Sequence, residues 1–295
     1  MSNEQKPWVP DKRWVSRSFA AAAGSYDEVA VLQREVADRL LERLELVRLS
    51  PERILDAGSG TGYASAALRR RYPGARLYAL DIAQPMAAAS RDRGSWRRRI
   101  HGVCGDAEQL PLASASIDLV VSSLALQWCR DLDAALTEFF RVLRPGGLLI
   151  FTSFGPDTLR ELRTAWAAVD EYSHVNAFVD MHDVGDALVR AGFADPVLDV
   201  EPFTLTYEAV PDLMRDLKAL GAHNVTVGRN RGLTGRGRLQ AMMRAYEDFR
   251  DAQGRLPASY EVVHAHAWMP ERKPQRLRED GTVMVPIGRI PRRGG

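Results

Sequence analysis

Apolar positions along the chain fall into two rhythms. From Tyr26 to Leu49 they recur at helical spacing, with Val29, Leu32, Val36, Leu40, Leu44 and Val47 on one face. Pro51 closes that stretch, and short apolar runs then alternate with amphipathic ones. The runs predict strands at 53–56, 76–81, 100–104, 117–122 and 147–153, with helices between them at 63–71, 85–93 and 132–142. "LRPGG", Leu143 to Gly147, supplies the proline and glycines of a chain reversal after the last of these helices. Strands alternating with helices mean a mainly parallel sheet covered on both faces, an α/β fold.

Beyond Phe154 the rhythm loosens. Helices are predicted at 158–169, 181–191, 210–220 and 237–252, and strands near 197–206 and 260–268. The expected organisation is one sheet domain over 19–268 with a helical insertion at about 155–255. A polar, proline-broken segment, 1–18, precedes it and is expected to be flexible until docked. A tail rich in Pro, Gly and Arg, 269–295, follows, in which "TVMVPIGRI" has the pattern of an edge strand.

Composition changes this picture little. With 295 residues, 45% hydrophobic and 26% charged, the chain has the make-up of an ordinary globular protein. Its formal charge of +2 means that any basic surface must come from local clustering. Cys104 and Cys129 lie in apolar, strand-like surroundings, which argues against a disulfide framework and for a reducing compartment. The first residues have no apolar core of a signal peptide, and no run approaches the ~18 apolar residues of a membrane span. A cytoplasmic protein that does not enter membranes is expected.

Candidate chemistry begins at "ILDAGSGTG", Ile54 to Gly62, an apolar strand that runs through an acid into three glycines. The dinucleotide pattern G-x-G-x-x-G/A needs glycine or alanine at position 63, where Tyr63 stands, and no Gly-Lys-Ser/Thr ending of a phosphate loop is present. Asp56 before Gly58, Gly60 and Gly62 repels a pyrophosphate; it suits a cationic amino group or braces the loop's own amides. The loop amides and the helix start after them offer donors to a carboxylate. Asp81, ending the second strand, is placed to accept two hydrogen bonds from a ribose diol. Asp106, after the third, is placed to accept from an exocyclic amine, with Leu110 as an apolar wall. Together they describe a ligand with ammonium, carboxylate, ribose and adenine but no phosphate, and S-adenosylmethionine has those parts.

At this point the chain resembles a known family. "ILDAGSGTG", "LYALDIAQPM", "GDAEQLPL", "IDLVVSSLALQWC" and "RVLRPGGLLIFTSF" are similar to the successive motifs of class I S-adenosylmethionine-dependent methyltransferases, whose Rossmann-like sheet has seven strands, six parallel and one antiparallel. A narrower resemblance, carried by "FAAAAGSYDEVAVLQ", "DTLRELRTAW", "HVNAF", "LKALGAHN", "GLTGRGRLQ" and "GRLPASYEVV", is to the malonyl-acyl-carrier-protein O-methyltransferases of biotin synthesis. It implies methylation of the free carboxylate of a malonyl thioester on acyl carrier protein, or on CoA. Such a carboxylate is ionised at neutral pH, so no general base is expected.

The resemblance also implies site residues. Tyr26 and Gln33 match a helix that closes over the cofactor, Trp128 a wall for its methionine arm, and Ile82, Ala107 and Leu124 complete the cofactor site. Lys218 and Arg229 are the candidates for holding the anionic substrate, with His174 and Asn176 as neutral donors. Two basic clusters bear on partners: "RDRGSWRRR", with five arginines and one aspartate, reads as a solvated face, and "GRNRGLTGRGR", with four arginines and no acid, reads as a rim for an acidic carrier protein. Nucleic acid is disfavoured, because no run of aromatic residues is interleaved with either cluster. His264 and His266 share a strand face without a third ligand nearby, so no metal is expected. A monomer is expected. Two other functions compete: methylation of a free small acid such as trans-aconitate, and a non-catalytic assembly factor that keeps the fold.

Overall fold

A computed structural model of the chain describes residues 10–222 and 234–271. Seven strands form one sheet: β1 (Arg53–Ala57), β2 (Arg76–Asp81), β3 (Ile100–Cys104), β4 (Ile117–Ser123), β5 (Leu143–Phe154), β6 (Ala194–Tyr207) and β7 (Leu256–Trp268). Their order is β3-β2-β1-β4-β5-β7-β6, and β7 alone runs antiparallel to its neighbours. β1 and β4 are buried along nearly their whole length, as strands covered on both faces must be. The chain reverses its direction of growth between β1 and β4, and that switch point opens a crevice beyond the strands' carboxyl ends.

Ten α-helices surround the sheet among the described residues: α1 (Lys12–Ala22), α2 (Tyr26–Val29), α3 (Val31–Arg43), α4 (Tyr63–Arg71), α5 (Gln84–Asp92), α6 (Leu132–Val142), α7 (Arg160–Ala167), α8 (Met181–Ala191), α9 (Val210–Ala219) and α10 (Arg236–Glu247). On one face Leu136 and Phe139 of α6 and Leu188 of α8 bury against Leu149 and Phe151. On the other, Leu40 of α3 and Leu68 of α4 bury against Ile54, Leu119 and Val121. A third apolar cluster, Trp166, Leu213 and Tyr246 from α7, α9 and α10, sits on Phe154, Tyr260 and Val262.

Three expectations change. The segment expected to be flexible is helical from Lys12 onward: Asp11 caps α1 through the Arg13 amide at 3.1 Å, and Val15 and Ala22 are buried seven positions apart. The polar residues between them masked that apolar stripe. The long helix expected over 26–49 breaks at Ala30, whose ψ of 45° lies outside the helical range, and ends in a 3₁₀ turn, Leu44–Leu46. α3 buries Leu32, Val36 and Leu40, whereas α2 buries no residue, so Val29 continues the spacing without continuing the core. The strand expected near 197–206 is present as the 14-residue β6, within the stretch 155–255. "LRPGG" falls inside β5 as an irregularity, with Leu143 paired to Ile117 before the register shifts and Gly146 at φ +76°. "TVMVPIGRI" lies outside the described residues.

Within the first basic cluster Trp96 is exposed and Arg97 lies over its ring at 4.5 Å, an aromatic element that the residue pattern undervalued.

Candidate cofactor cavity

The cavity forms around the loop between β1 and α4. Gly58, Gly60 and Gly62 have φ of +76°, +53° and +88°, the region glycine occupies without strain. A Cβ on Gly58 would stand 2.1 Å from Ala125 Cβ, and one on Gly62 would stand 2.6 Å from Ser90 Cα. The three glycines therefore differ in role: Gly58 and Gly60 line the cavity, while Gly62 packs α4 against α5 and does not line it. Most loop amides are already used within the protein. Gly58 and Ser59 donate to Leu80 O at 2.7 and 2.9 Å, and Gly60 donates to Asp81 Oδ2 at 2.9 Å. The expected amide cradle for an anion is thus largely spent on positioning.

Asp81 also accepts from the Ala83 amide at 2.8 Å, so each of its oxygens is pinned by one backbone N–H while keeping capacity for a further donor. Burial pushes its carboxyl up to about 6 against the two stabilising amide bonds. Asp56 meets neither a ligand group nor the loop's own amides. It is buried and away from the main cavity, accepting from Ser65 Oγ at 2.5 Å, and so braces α4. Burial raises its carboxyl to about 6, more than the Ser65 bond lowers it. A raised acid stabilises the fold below its unfolded value of 3.8, and that contribution is lost as pH rises through about 6. Asp56→Asn, which keeps an acceptor for Ser65, is therefore expected to raise the melting temperature at pH 8, by roughly 2 kcal/mol of stability, and to give no gain at pH 4. Thermal melts at the two pH values check this.

The roof comes from the chain's first helices. Lys12, Val15 and Phe19 of α1 line the cavity, and the Phe19 ring meets the Trp128 ring edge-on at 5.2 Å. Ser16 Oγ donates to Ile82 O at 3.1 Å and Ser18 Oγ to Gly221 O at 2.9 Å, tying α1 to the β2 end and to the end of α9. Lys12 bonds Asp106 and lies 2.9 Å from Glu108. Burial opposes the Lys12 charge, but these two acids outweigh it and hold its ammonium above the usual range. Asp106 is thus engaged by a lysine rather than held free for an exocyclic amine. Tyr26 is enclosed, and burial raises its phenol strongly, so it stays neutral. Gln33 lines the same space, and its buried Oε1 has no hydrogen-bond partner among the described residues.

About 900 Å³ of empty space, its open mouth included, lies among these groups. Of the residues expected at a cofactor site, Tyr26, Gln33, Gly58, Gly60, Asp81, Ile82, Asp106, Ala107, Leu124 and Trp128 line it. Lys12, Phe19, Ala125, Phe154 and Leu220 line it too and were missed. Phe19 opens one of the matching motifs, whereas nothing local marks Lys12. Leu110 is buried in the core instead of walling the cavity. His174 and Asn176 line a separate groove, Lys218 is exposed on α9 two residues before Leu220, and Arg229 lies outside the described residues. Among the described residues no three His, Cys, Asp or Glu side chains stand close enough to hold a metal ion. His264 is buried, with Nε2 3.3 Å from a Glu201 oxygen, and burial lowers it to about 4. No helix among the described residues is long and apolar enough to cross a membrane.

The space suits a nucleoside with a cationic arm. An unpartnered buried oxygen on Gln33 awaits a donor, a pinned carboxylate faces the cavity from β2, and glycines let a ligand reach the backbone where a Cβ would intrude.

Comparison with known proteins agrees with this geometry. A family described as "Methyltransferase domain" matches residues 55–151. The chain is 57% identical to a malonyl-[acyl-carrier protein] O-methyltransferase of Laribacter hongkongensis, over 93% of this chain and 95% of that protein. It is 56% identical to one of Methylovorus sp., covering 90% and 92%, and 39% identical to one of Legionella pneumophila, covering 94% and 96%. Among solved structures, a putative methyltransferase from Bacillus halodurans superposes with a TM-score of 0.56 at 19% identity, covering 79% of this chain and 98% of that one. Phosphoethanolamine N-methyltransferase 2 of Haemonchus contortus, in complex with S-adenosyl-L-methionine, superposes at 0.52 with 16% identity, covering 85% and 57%. These structures share the class I methyltransferase fold.

Proposed function

The chain belongs to the malonyl-[acyl-carrier protein] O-methyltransferase family, and from that premise we propose that its cavity holds S-adenosylmethionine and presents the donor to the free carboxylate of malonyl-acyl carrier protein. The observation that carries this reading is the Asp81 carboxylate, pinned by the Gly60 and Ala83 amides at the cavity wall. It accepts the ribose hydroxyls. Gln33 Oε1, otherwise without a partner among the described residues, accepts from the ammonium of the methionine arm. Tyr26 and the Phe19–Trp128 pair close the space against water.

When bound, S-adenosylmethionine supplies a methyl group on a sulfonium: a carboxylate oxygen forms the new C–O bond as the C–S bond breaks, and sulfur keeps the electron pair. The product is the malonyl methyl ester, which primes pimeloyl synthesis for biotin. No proton moves, so the protein needs no base. Its task is alignment and exclusion of water. At saturating donor the maximal rate is expected to stay flat from about pH 6 to 9, above the carboxylate pKa. A single-turnover profile governed by an enzyme group near neutrality would contradict the carboxylate as nucleophile.

Lys218, exposed beside the cavity's Leu220, and Arg229 serve the anionic substrate and its carrier in this reading. Lys218→Ala is expected to impair transfer to the carried substrate and leave donor binding intact. The deciding experiment compares methyl transfer to malonyl-acyl carrier protein, malonyl-CoA, free malonate and trans-aconitate. Efficient methylation of the thioesters is expected. Free acids methylated as efficiently as the carried substrate would replace the carrier reading, and calorimetric binding of NAD(H) without S-adenosylmethionine would remove the cofactor.

A further inference from the structure

A second concavity lies beside the donor cavity, between α7 and the segment 170–178, with about 1090 Å³ of empty space counting its open side. One aromatic layer separates the two. Phe154 lines the donor cavity, its ring meets the Phe178 ring at 5.5 Å, and Phe178 lines the groove. The groove's wall is built rigidly. The His174 ring stacks on Trp166 with centroids 3.7 Å apart and planes 7° apart, and His174 Nε2 is held by Asp170 Oδ1 at 2.8 Å. The same Asp170 oxygen accepts from the Tyr172 amide at 3.1 Å, so one carboxylate fixes both the stack and the turn that carries Tyr172 to the rim. The Tyr172 side chain is 51% exposed there. Arg163 lines the groove with its guanidinium anchored on Pro156 O at 2.8 Å and Thr158 O at 3.0 Å.

We propose that this groove binds the pantetheine arm on which the malonyl group is carried, a claim that rests on the thioester reading above. A methyl acceptor at the donor cavity must present its carboxylate while the sulfur end leads away, and the groove lies behind the Phe154–Phe178 ring pair that borders that cavity. Its chemistry fits an uncharged chain of methylenes and amides that ends at a phosphate. Tyr172, exposed on the turn that the buried Trp166–His174 stack braces, offers apolar area, and Arg163 supplies a fixed positive charge. His174 and Asn176 thereby act on the arm and not on the reacting carboxylate. A free small acid has no use for such a groove.

Ala167 and Ala177 both line the groove and are exposed, so Ala167→Trp and Ala177→Trp fill it without touching the core; Tyr172→Ala removes area instead. The test measures calorimetric binding of malonyl-CoA to the full-length protein saturated with S-adenosylhomocysteine, and methyl transfer to malonyl-CoA and to the short malonyl N-acetylcysteamine thioester. Malonyl-CoA binding is expected to weaken about tenfold in the filled variants, with KM rising in step. The short thioester's kcat/KM and the affinity for S-adenosylmethionine should stay within about twofold of wild type. Unchanged malonyl-CoA binding in all three variants, no binding to wild type, or an equal loss with both thioesters overturns the groove. Binding that is sensitive to the fillings, without methyl transfer to either thioester, overturns the functional reading and leaves the groove standing.

Discussion

Gly58→Ala is expected to abolish S-adenosylmethionine binding. The new Cβ would stand 2.1 Å from Ala125 Cβ, and the backbone there has φ +76°. Neither problem is relieved by a rotamer change, because both atoms sit next to backbone. Overpacking of this kind costs about 1–3 kcal/mol, and a left-handed residue other than glycine adds about 1–2 kcal/mol. Relief requires moving the loop or the turn after β4, and both line the cavity. Calorimetric titration should detect no binding, with a lower melting temperature. Gly62→Ala makes the control. Its Cβ meets Ser90 Cα at 2.6 Å with φ +88°, so stability should fall comparably; Gly62 does not line the cavity and reaches it only through the Ser90 Oγ bond to Gly60 O at 2.8 Å, so the folded protein should keep more affinity than Gly58→Ala does. If Gly58→Ala binds as wild type does, the loop is not in the donor site.

Asp81→Ala should weaken S-adenosylmethionine by about 1.5–3 kcal/mol, the range for hydrogen bonds to a charged acceptor. The substitution also frees the Gly60 and Ala83 amides, so part of the loss is loop disorder. Asp81→Asn removes the charge, but it keeps an acceptor for only one of these two amides and turns an NH2 toward the other, so its loss too includes some loop disorder. The pH dependence supplies a second handle. The Asp81 carboxyl, raised by burial to about 6, gains a proton below that pH and gives up acceptor capacity. Wild-type affinity should therefore fall about fivefold from pH 6 to pH 5, and Asp81→Asn should remove that slope. An unchanged dissociation constant in Asp81→Ala takes this residue out of the site.

Much of the cavity's wall at β1 and β2 was legible in the chain because its signals are local. A parallel strand buried on both faces must be apolar, a loop held at positive φ asks for glycine, and an acid at a strand's carboxyl end faces the crevice. Those requirements act within windows of a few residues, so the helices at 63–71, 132–142 and 181–191 and the strands at 76–81 and 100–104 coincide with α4, α6, α8, β2 and β3. Asp81, Gly58 and Gly60 reached the cavity for the same reason.

Partnerships between distant parts of the chain were another matter. Lys12 and Asp106 are 94 residues apart, and no pattern in either neighbourhood announces that the first helix will fold over the third strand's end. Asp56 offers the same carboxylate to a ligand or to Ser65; burial beneath α4 decided for Ser65. His174 carries chemistry suited to a substrate anion, yet the packing of α7 set it against Trp166 and Asp170, one aromatic layer from the donor cavity. Local order follows from what each short segment buries. Which donor meets which acceptor follows from how the finished layers dock, and that contact is made only once the sheet has brought the segments together.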